Sequence, residues 1–327
     1  MKKFVVNFFV LVISTALSFA LLEFAVRVVM PWYDPARQVV FYTNSGGVPL
    51  GKPHDVIRQR TPKGDYDLSS KFNQYGFRDD KDLAQSRSGD IFVLGDSFSF
   101  GWGIPDGKRY SDILQGLLET PVYNISIPSN LSGYESLLAY ARSRGATVTS
   151  LVLGFCMEND FADYAMTGVE GGAVPSAPSP GKLNWREFFK SHSAVYLALS
   201  YEMQKVPFLR KFLESKGLAR DLEGLVHKNT LDEKVMTSTL EKLRQIIRSV
   251  DSAVVLIIPS RMLWQSSNSA NERAVHERFV GLLRSEGIPV VDVRPSLEQG
   301  GQPLEYYFKT DPHWNEEGHR LAAEALA

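Results

Sequence analysis

The chain has 327 residues, of which 44% are hydrophobic, 11% aromatic and 22% charged. This is the composition of an ordinary globular protein and excludes a disordered, collagenous or multi-span membrane chain. Its 36 basic and 37 acidic residues leave a net charge of −1 with no basic run, so it has no field suited to nucleic acid. Cys156 is the only cysteine, which excludes an intrachain disulfide and a cysteine-based zinc site.

Lys2 and Lys3 precede an uncharged apolar run from Phe4 to Leu22. As a helix that run is about 28 Å long, close to the hydrocarbon thickness of a bilayer. Glu23 ends it, and Pro31-Trp32-Tyr33 follows with aromatics suited to an interface. The two lysines orient the N-terminus to the cytoplasm and the rest outward. The expectation is a signal anchor over 1–33 that meets the membrane through residues 4–30. Two alternatives stand beside it: a leader cleaved near Ser18-Phe19-Ala20, and a buried helix of a soluble protein.

Residues 34–88, rich in Gly, Pro, Asp and Lys, read as a tether and irregular lead-in. A regular pattern begins at Asp90. Short apolar runs occur at Ile91–Leu94, Val122–Ile125, Leu151–Phe155, Val254–Ile258 and Val290–Val293. Helical patterns cover Tyr110–Glu119, Tyr134–Arg144, Asp232–Val250 and Ala270–Glu286. Continuous apolar strands alternating with helices predict an α/β domain, a parallel sheet in three α/β/α layers over 89–327. A site is expected at the carboxyl ends of the strands. The rhythm breaks at about 161–230, where a Gly/Ala/Pro/Ser stretch (Gly168–Gly181) precedes helical patterns at Trp185–Tyr201 and Phe208–Leu218. This mainly helical insertion either roofs the site or docks on the core through Trp185, Phe188, Phe189, Tyr196 and Leu197.

Three stretches carry residues suited to chemistry. Gly95-Asp96-Ser97-Phe98 lies where the first strand ends, so the Ser97 hydroxyl is presented at the rim, although such a tripeptide is also an ordinary turn or helix cap. Asn159-Asp160 follows the third strand, where an asparagine amide can face a developing negative charge or simply cap a helix. Asp311-Pro312-His313-Trp314 precedes a final helix over Arg320–Ala327. A serine hydroxyl needs a base, and a histidine base needs an acceptor to hold its tautomer, so His313 and Asp311 complete a possible set. His319 is expected on the surface of the last helix. Neither a metal site nor a phosphate-binding glycine loop is expected.

Taken together, these stretches resemble the SGNH/GDSL hydrolase superfamily over roughly 88–327 without the insertion. Gly95-Asp96-Ser97-Phe98 is similar to its block I, Asn159-Asp160 to block III, and Asp311 with His313 to block V. The stretch Asn73-Gln74-Tyr75-Gly76-Phe77-Arg78-Asp79 is similar to one that precedes block I in exported, anchored bacterial members linked to envelope and exopolysaccharide machinery. The resemblance implies a flavodoxin-like five-stranded parallel sheet, with Ser97 as nucleophile, His313 as base and acid, and Asp311 as orienting carboxylate. It also implies an oxyanion hole of the Ser97 N–H, the Asn159 side chain and a block II backbone N–H. Ser129 stands where block II has its glycine, and Gly133 follows four residues later. The D-x-H-W spacing departs from the common D-x-x-H and resembles alginate-type polysaccharide O-acetylation proteins, whose block order differs. The function this implies is a serine esterase outside the cytoplasmic membrane. Its acyl-ester substrate would be a glycan or other envelope molecule, with acetyl the expected group and no cofactor. One alternative is an O-acyltransferase served by a membrane acyl-donor protein; another is a non-catalytic polysaccharide-binding module.

Overall fold

The computed structural model describes the chain except at residues 1, 36–38, 40, 45, 62–63, 159, 161–184, 205, 207, 210–211, 213–232 and 266–268. Asn159, Gly168–Gly181 and most of Phe208–Leu218 therefore lie outside the described residues. Two compact units form, one from 1–39 with 178–221 and the other from 40–177 with 222–327.

In chain order, α1 (Lys2–Val29) precedes two antiparallel hairpins. These are β1 (Phe41–Thr43) with β2 (Pro49–Gly51), and β3 (Val56–Arg60) with β4 (Asp67–Lys71). The α/β part follows as β5 (Ile91–Leu94), α2 (Ser97–Phe100), α3 (Tyr110–Leu118), β6 (Val122–Asn124), α4 (Leu131–Ser143) and β7 (Ser150–Cys156). Next come α5 (Trp185–His192), α6 (Ala194–Gln204), α7 (Glu233–Ile247), β8 (Ser252–Ile258) and α8 (Ser269–Ser285). The chain ends with β9 (Val290–Asp292), α9 (Arg294–Gln299) and α10 (Glu316–Leu326).

Five strands pair in the order β6-β5-β7-β8-β9, all parallel. This is the flavodoxin-like sheet, and its strands are apolar because both faces are covered: β7 is buried from Leu151 to Cys156, and β8 from Val255 to Ile258. Strand order reverses between β5 and β7, so the loops after those two strands diverge and leave a crevice at their carboxyl ends. On one side of the sheet Val93, Val152, Leu256 and Ile258 pack with Tyr110, Leu114, Ala322 and the fully buried Trp314.

The lead-in is more regular than its composition predicts. Its two hairpins are short, and β3 alternates exposed and buried residues, with Ile57 and Gln59 turned inward. The Asn73–Asp79 stretch has a structural task. Asn73 Oδ1 accepts from the Tyr75 and Phe77 N–H groups, and Gly76 (φ 86°) closes the turn against the Gly51 carbonyl, where a Cβ would lie 2.4 Å away. Arg78, fully buried, then donates to Asp106 and to the carbonyls of Gly101 and Ile104, bracing the loop that follows α2. Burial, assisted by the neighbouring Arg109 charge, pushes the Arg78 pKa down to about 10, still far above neutrality.

The last helix starts one turn before the predicted Arg320, because Asn315 Oδ1 accepts from the Glu317 and Gly318 N–H groups and caps it. This helix packs on α3 with His319 facing inward. Its side chain is buried, not on the surface as expected from sequence; its ring stacks on Tyr110 and its Nδ1 accepts from the Tyr110 N–H at 3.1 Å. Burial, with the Arg109 charge adding to it, pushes the His319 pKa down to about 3. The unfolded chain therefore binds this proton near pH 6.5 while the folded one resists it to about pH 3, so acid favours unfolding across that window. His319→Gln, which keeps an acceptor there, is expected to remove up to about 1.4 kcal/mol per pH unit of acid sensitivity, read from urea midpoints between pH 6.5 and 5. Equal slopes in both proteins would contradict this.

In the first unit Glu23, on α1, acts as cap for a distant helix. Its carboxylate accepts from Ser193 Oγ (2.9 Å) and from the N–H groups of Ala194 (2.6 Å) and Val195 (3.1 Å) at the start of α6. Arg27 donates to Asp34 and to the His192 carbonyl, and Tyr33 packs with Ala194 and Ala198. Within this unit α5 and α6 group with α1. Their anchor points are Glu23 and the small-residue face of α6, whereas Trp185, Phe188 and Phe189 remain exposed.

Candidate active site

Ser97 enters the crevice because β5 ends at Leu94 and the chain turns at Gly95 into α2. A Cβ on Gly95 would lie 2.2 Å from Ser99 Oγ and 3.0 Å from the Gly154 carbonyl, so only glycine lets this turn lie against β7. Asp96 caps α2 by accepting from the Phe98 N–H at 2.9 Å. This leaves Ser97 at the first helical position, where helix geometry offers its N–H no intrahelical acceptor.

The Asp311–Trp314 turn supplies the facing groups. Trp314 is fully buried, and the Phe308 N–H donates to the His313 carbonyl, which pins the turn to the core. The two-residue spacing works because Asp311 Oδ1 accepts twice from His313, from its backbone N–H at 3.0 Å and from its ring Nδ1 at 2.6 Å. The other ring nitrogen, Nε2, lies 2.7 Å from Ser97 Oγ. Serine, imidazole and carboxylate thus form one hydrogen-bonded line, with Ser97 half-buried and the Asp311 and His313 side chains only 15% and 14% exposed. Burial raises the Asp311 pKa, but the hydrogen bonds and charge of His313 outweigh it and hold the carboxyl below the usual range. An ionised Asp311 with Nδ1–H donating to it leaves Nε2 free to take the Ser97 proton, the requirement for nucleophilic attack on an acyl carbonyl.

Two further residues join this line that sequence reasoning missed. Tyr66, in the turn between β3 and β4, donates its O–H to Asp311 Oδ2 at 2.8 Å, and Trp102 Nε1 donates to the Tyr66 oxygen at 2.8 Å. Burial and the Asp311 charge push the Tyr66 pKa far above its ordinary value, so it remains a donor. The Phe98 and Trp102 rings lie 4.9 and 6.1 Å from the imidazole, centroid to centroid, and limit its rotation. Gly103 (φ 76°) admits the Tyr66 ring, since a Cβ there would meet it at 2.5 Å. Tyr66→Phe is expected to lower kcat about ten-fold at unchanged KM, the value of one hydrogen bond to a charged group. The acid limb should move to higher pH, because an Asp311 carboxylate relieved of one donor stabilises imidazolium more. An unchanged pH profile would reduce Tyr66 to packing.

The expected oxyanion-hole residues fare differently. Gly133, the second block II candidate that the resemblance implies, is in the first turn of α4, and its N–H already donates to the Asn130 side chain at 3.0 Å. Ser129 adjoins that turn: a Cβ on Gly133 would lie 2.5 Å from Ser129 Oγ, which is buried and has no hydrogen bond among the described residues. Asn159 lies outside the described residues. Its neighbour Asp160 is buried and accepts from the Cys156 N–H and the Tyr134 hydroxyl, which sets the turn after β7. Among the described residues no group of three His, Cys, Asp or Glu side chains is placed to hold a metal ion.

A three-layer domain that brings serine, histidine and aspartate together at the carboxyl ends of a parallel sheet defines the class of serine-dependent acyl-transfer folds. Residues 244–327, which carry Asp311 and His313, match the family model of the SGNH hydrolase-like domain of the acetyltransferase AlgX. No curated protein matches the chain. Similar solved structures include a lipolytic G-D-S-L family protein from Veillonella parvula (14% identity, 72% of this chain and 95% of that one, TM-score 0.42). Another is a carbohydrate esterase family 2 enzyme with a carbohydrate-binding domain from Corynascus thermopiles (10%, 79% and 69%, TM-score 0.42). A third is a catalytic mutant of Axe2, an acetylxylan esterase from Geobacillus stearothermophilus (10%, 75% and 94%, TM-score 0.40). Over residues 244–327 the chain is thus similar to an SGNH hydrolase-like domain.

Proposed function

We propose that the protein is an acyl-ester enzyme of the cell envelope that works through an acyl-Ser97 intermediate on an O-acylated carbohydrate. The observation that carries this is the 2.7 Å approach of Ser97 Oγ to His313 Nε2, with Asp311 on the other ring nitrogen. Ser97 Oγ attacks the acyl carbonyl as its proton passes to Nε2. His313 returns that proton to the departing sugar oxygen, and the acyl group remains on Ser97. The Ser97 N–H and the Asn159 amide are the donors assigned to the oxyanion, with a backbone N–H near Ser129 as the third. In hydrolysis a water activated by His313 releases the acid, acetate in the leading case.

The family-model match favours a second reading, in which a sugar hydroxyl takes the place of that water and the protein is an O-acyltransferase. Retention of α1 as a signal anchor is part of both readings. The helix Lys3–Val29 is long and apolar enough to cross a membrane, and an outward-facing domain would meet glycans as they leave the cell. The 89–327 part is the catalytic domain in this assignment, and 34–88 leads into it. The test uses the full chain in vesicles with an aryl acetate and with acetylated oligosaccharides, Ser97→Ala serving as control. Ser97-dependent acetate release to water alone supports the esterase. Acetylated acceptor sugar formed at the expense of hydrolysis supports the transferase. A folded protein silent in both, with every acyl donor tried, would overturn the acyl-enzyme.

A further inference from the structure

We propose that α5 is a second membrane contact, lying in the plane of the bilayer surface with Trp185, Phe188 and Phe189 inserted among the lipid headgroups. This rests on the reading of α1 as a retained span. The three aromatics occupy positions i, i+3 and i+4 of one helix and therefore one face. Their rings adjoin one another, with centroids 5.7–6.3 Å apart, and they are 62%, 42% and 38% exposed. An exposed patch of three large aromatics on an eight-residue helix is unusual on a surface bathed by water alone.

The depth of this patch follows from how α5 is held. Charge-free sequence in α1 ends at Leu22, so Glu23 and Arg27 mark the level at which α1 leaves the hydrocarbon. Those two residues are the attachment points: Arg27 donates to the carbonyl of His192, the last residue of α5, and Glu23 caps the next helix at Ser193–Val195. An eight-residue helix is about 12 Å long, so no ring can be far from that level, and the headgroup layer is itself about 5–8 Å deep. Of the two aromatics expected from sequence to serve the interface, Tyr33 is instead buried against Ala194 and Ala198, with its hydroxyl on Glu202, and Trp32 is half-buried against the same cluster. The three α5 rings, adjoining one another beside the Glu23–Arg27 attachment, are the ones we assign to that level. Tryptophan and phenylalanine at the headgroup level bury their rings while the backbone stays hydrated.

The experiment uses the full-length chain in phosphatidylcholine–phosphatidylglycerol vesicles, with an environment-sensitive fluorophore on Phe188→Cys. Cys156 is buried, so labelling is directed to the new thiol. The expected result is loss of most emission to lipids carrying a nitroxide at the headgroup and little loss to aqueous iodide. Trp185→Cys should behave alike and serves if the first variant folds poorly. Strong iodide quenching with no lipid quenching would overturn the proposal. So would shielding from both quenchers accompanied by a thiol cross-link between two chains, which would assign the patch to a second copy. Alkaline carbonate extraction separates the two layers of the argument. Release of the chain from the membrane removes the anchor and this proposal together, whereas a retained chain with an iodide-quenched probe removes only the role of α5.

Discussion

Replacing Ser97 by alanine is expected to lower acyl-ester turnover by about 10⁴–10⁶-fold, since loss of the nucleophile in such a set costs about as much as loss of the whole set. The hydroxyl's hydrogen bond is to His313 Nε2, and alanine is accepted at the first position of α2, whose cap is formed by Asp96. Stability should therefore change by no more than about 0.5 kcal/mol, which separates a chemical from a folding defect. The measurement is steady-state hydrolysis of an aryl acetate together with the unfolding midpoint of each protein. A variant that folds normally and retains more than a small fraction of the activity would show that Ser97 is not the acylated group. Trapping the wild-type acyl-enzyme by mass spectrometry, and its absence in the variant, gives the same answer independently of rate.

Asp311→Asn is expected to lower kcat by about 10³–10⁴-fold with the fold intact, the scale of removing an orienting carboxylate from such a set. Three donors converge on this side chain: the His313 backbone N–H, the His313 ring at Nδ1 and the Tyr66 hydroxyl. A carboxylate accepts all three; an amide has one acceptor oxygen and must turn its NH₂ toward one of them. With NH₂ facing Nδ1 the ring adopts the other tautomer, placing a proton on Nε2, where it can no longer take one from Ser97. Because Asp311 is held below the usual carboxylate range, it stays ionised well into acid. A fall of less than ten-fold in Asp311→Asn would assign the orientation of His313 to Phe98 and Trp102 instead.

The distance between sequence and structure is best seen at particular residues. Ser97, Asp311 and His313 are legible because each belongs to a short motif whose neighbours do local work: Gly95 and Asp96 build the one turn, and the buried Trp314 holds the other. Asp311 and His313 meet through a contact only two residues apart in sequence. Tyr66 was not legible, because its bond to Asp311 joins residues 245 positions apart and nothing in the polar turn around Gly64 marks it. His319 is buried because the last helix packs on α3, where its ring meets Tyr110, a contact 209 residues apart in sequence. Gly133 is the glycine four residues after Ser129, and only the cap geometry at Asn130 shows its N–H to be engaged.

By itself the sequence determined the five apolar strands and the helices between them, the N-terminal apolar helix and the motif residues at the strand ends. These are local properties: strand or helix periodicity, turn chemistry and capping are set within a few residues. The tertiary structure alone decided which distant groups meet. It took Tyr66 to Asp311, Arg78 to the loop after α2, and Glu23 to the start of α6, each through a buried or partly buried polar contact. The physical reason is that a buried polar group must find a partner wherever packing brings one, and packing depends on the whole chain.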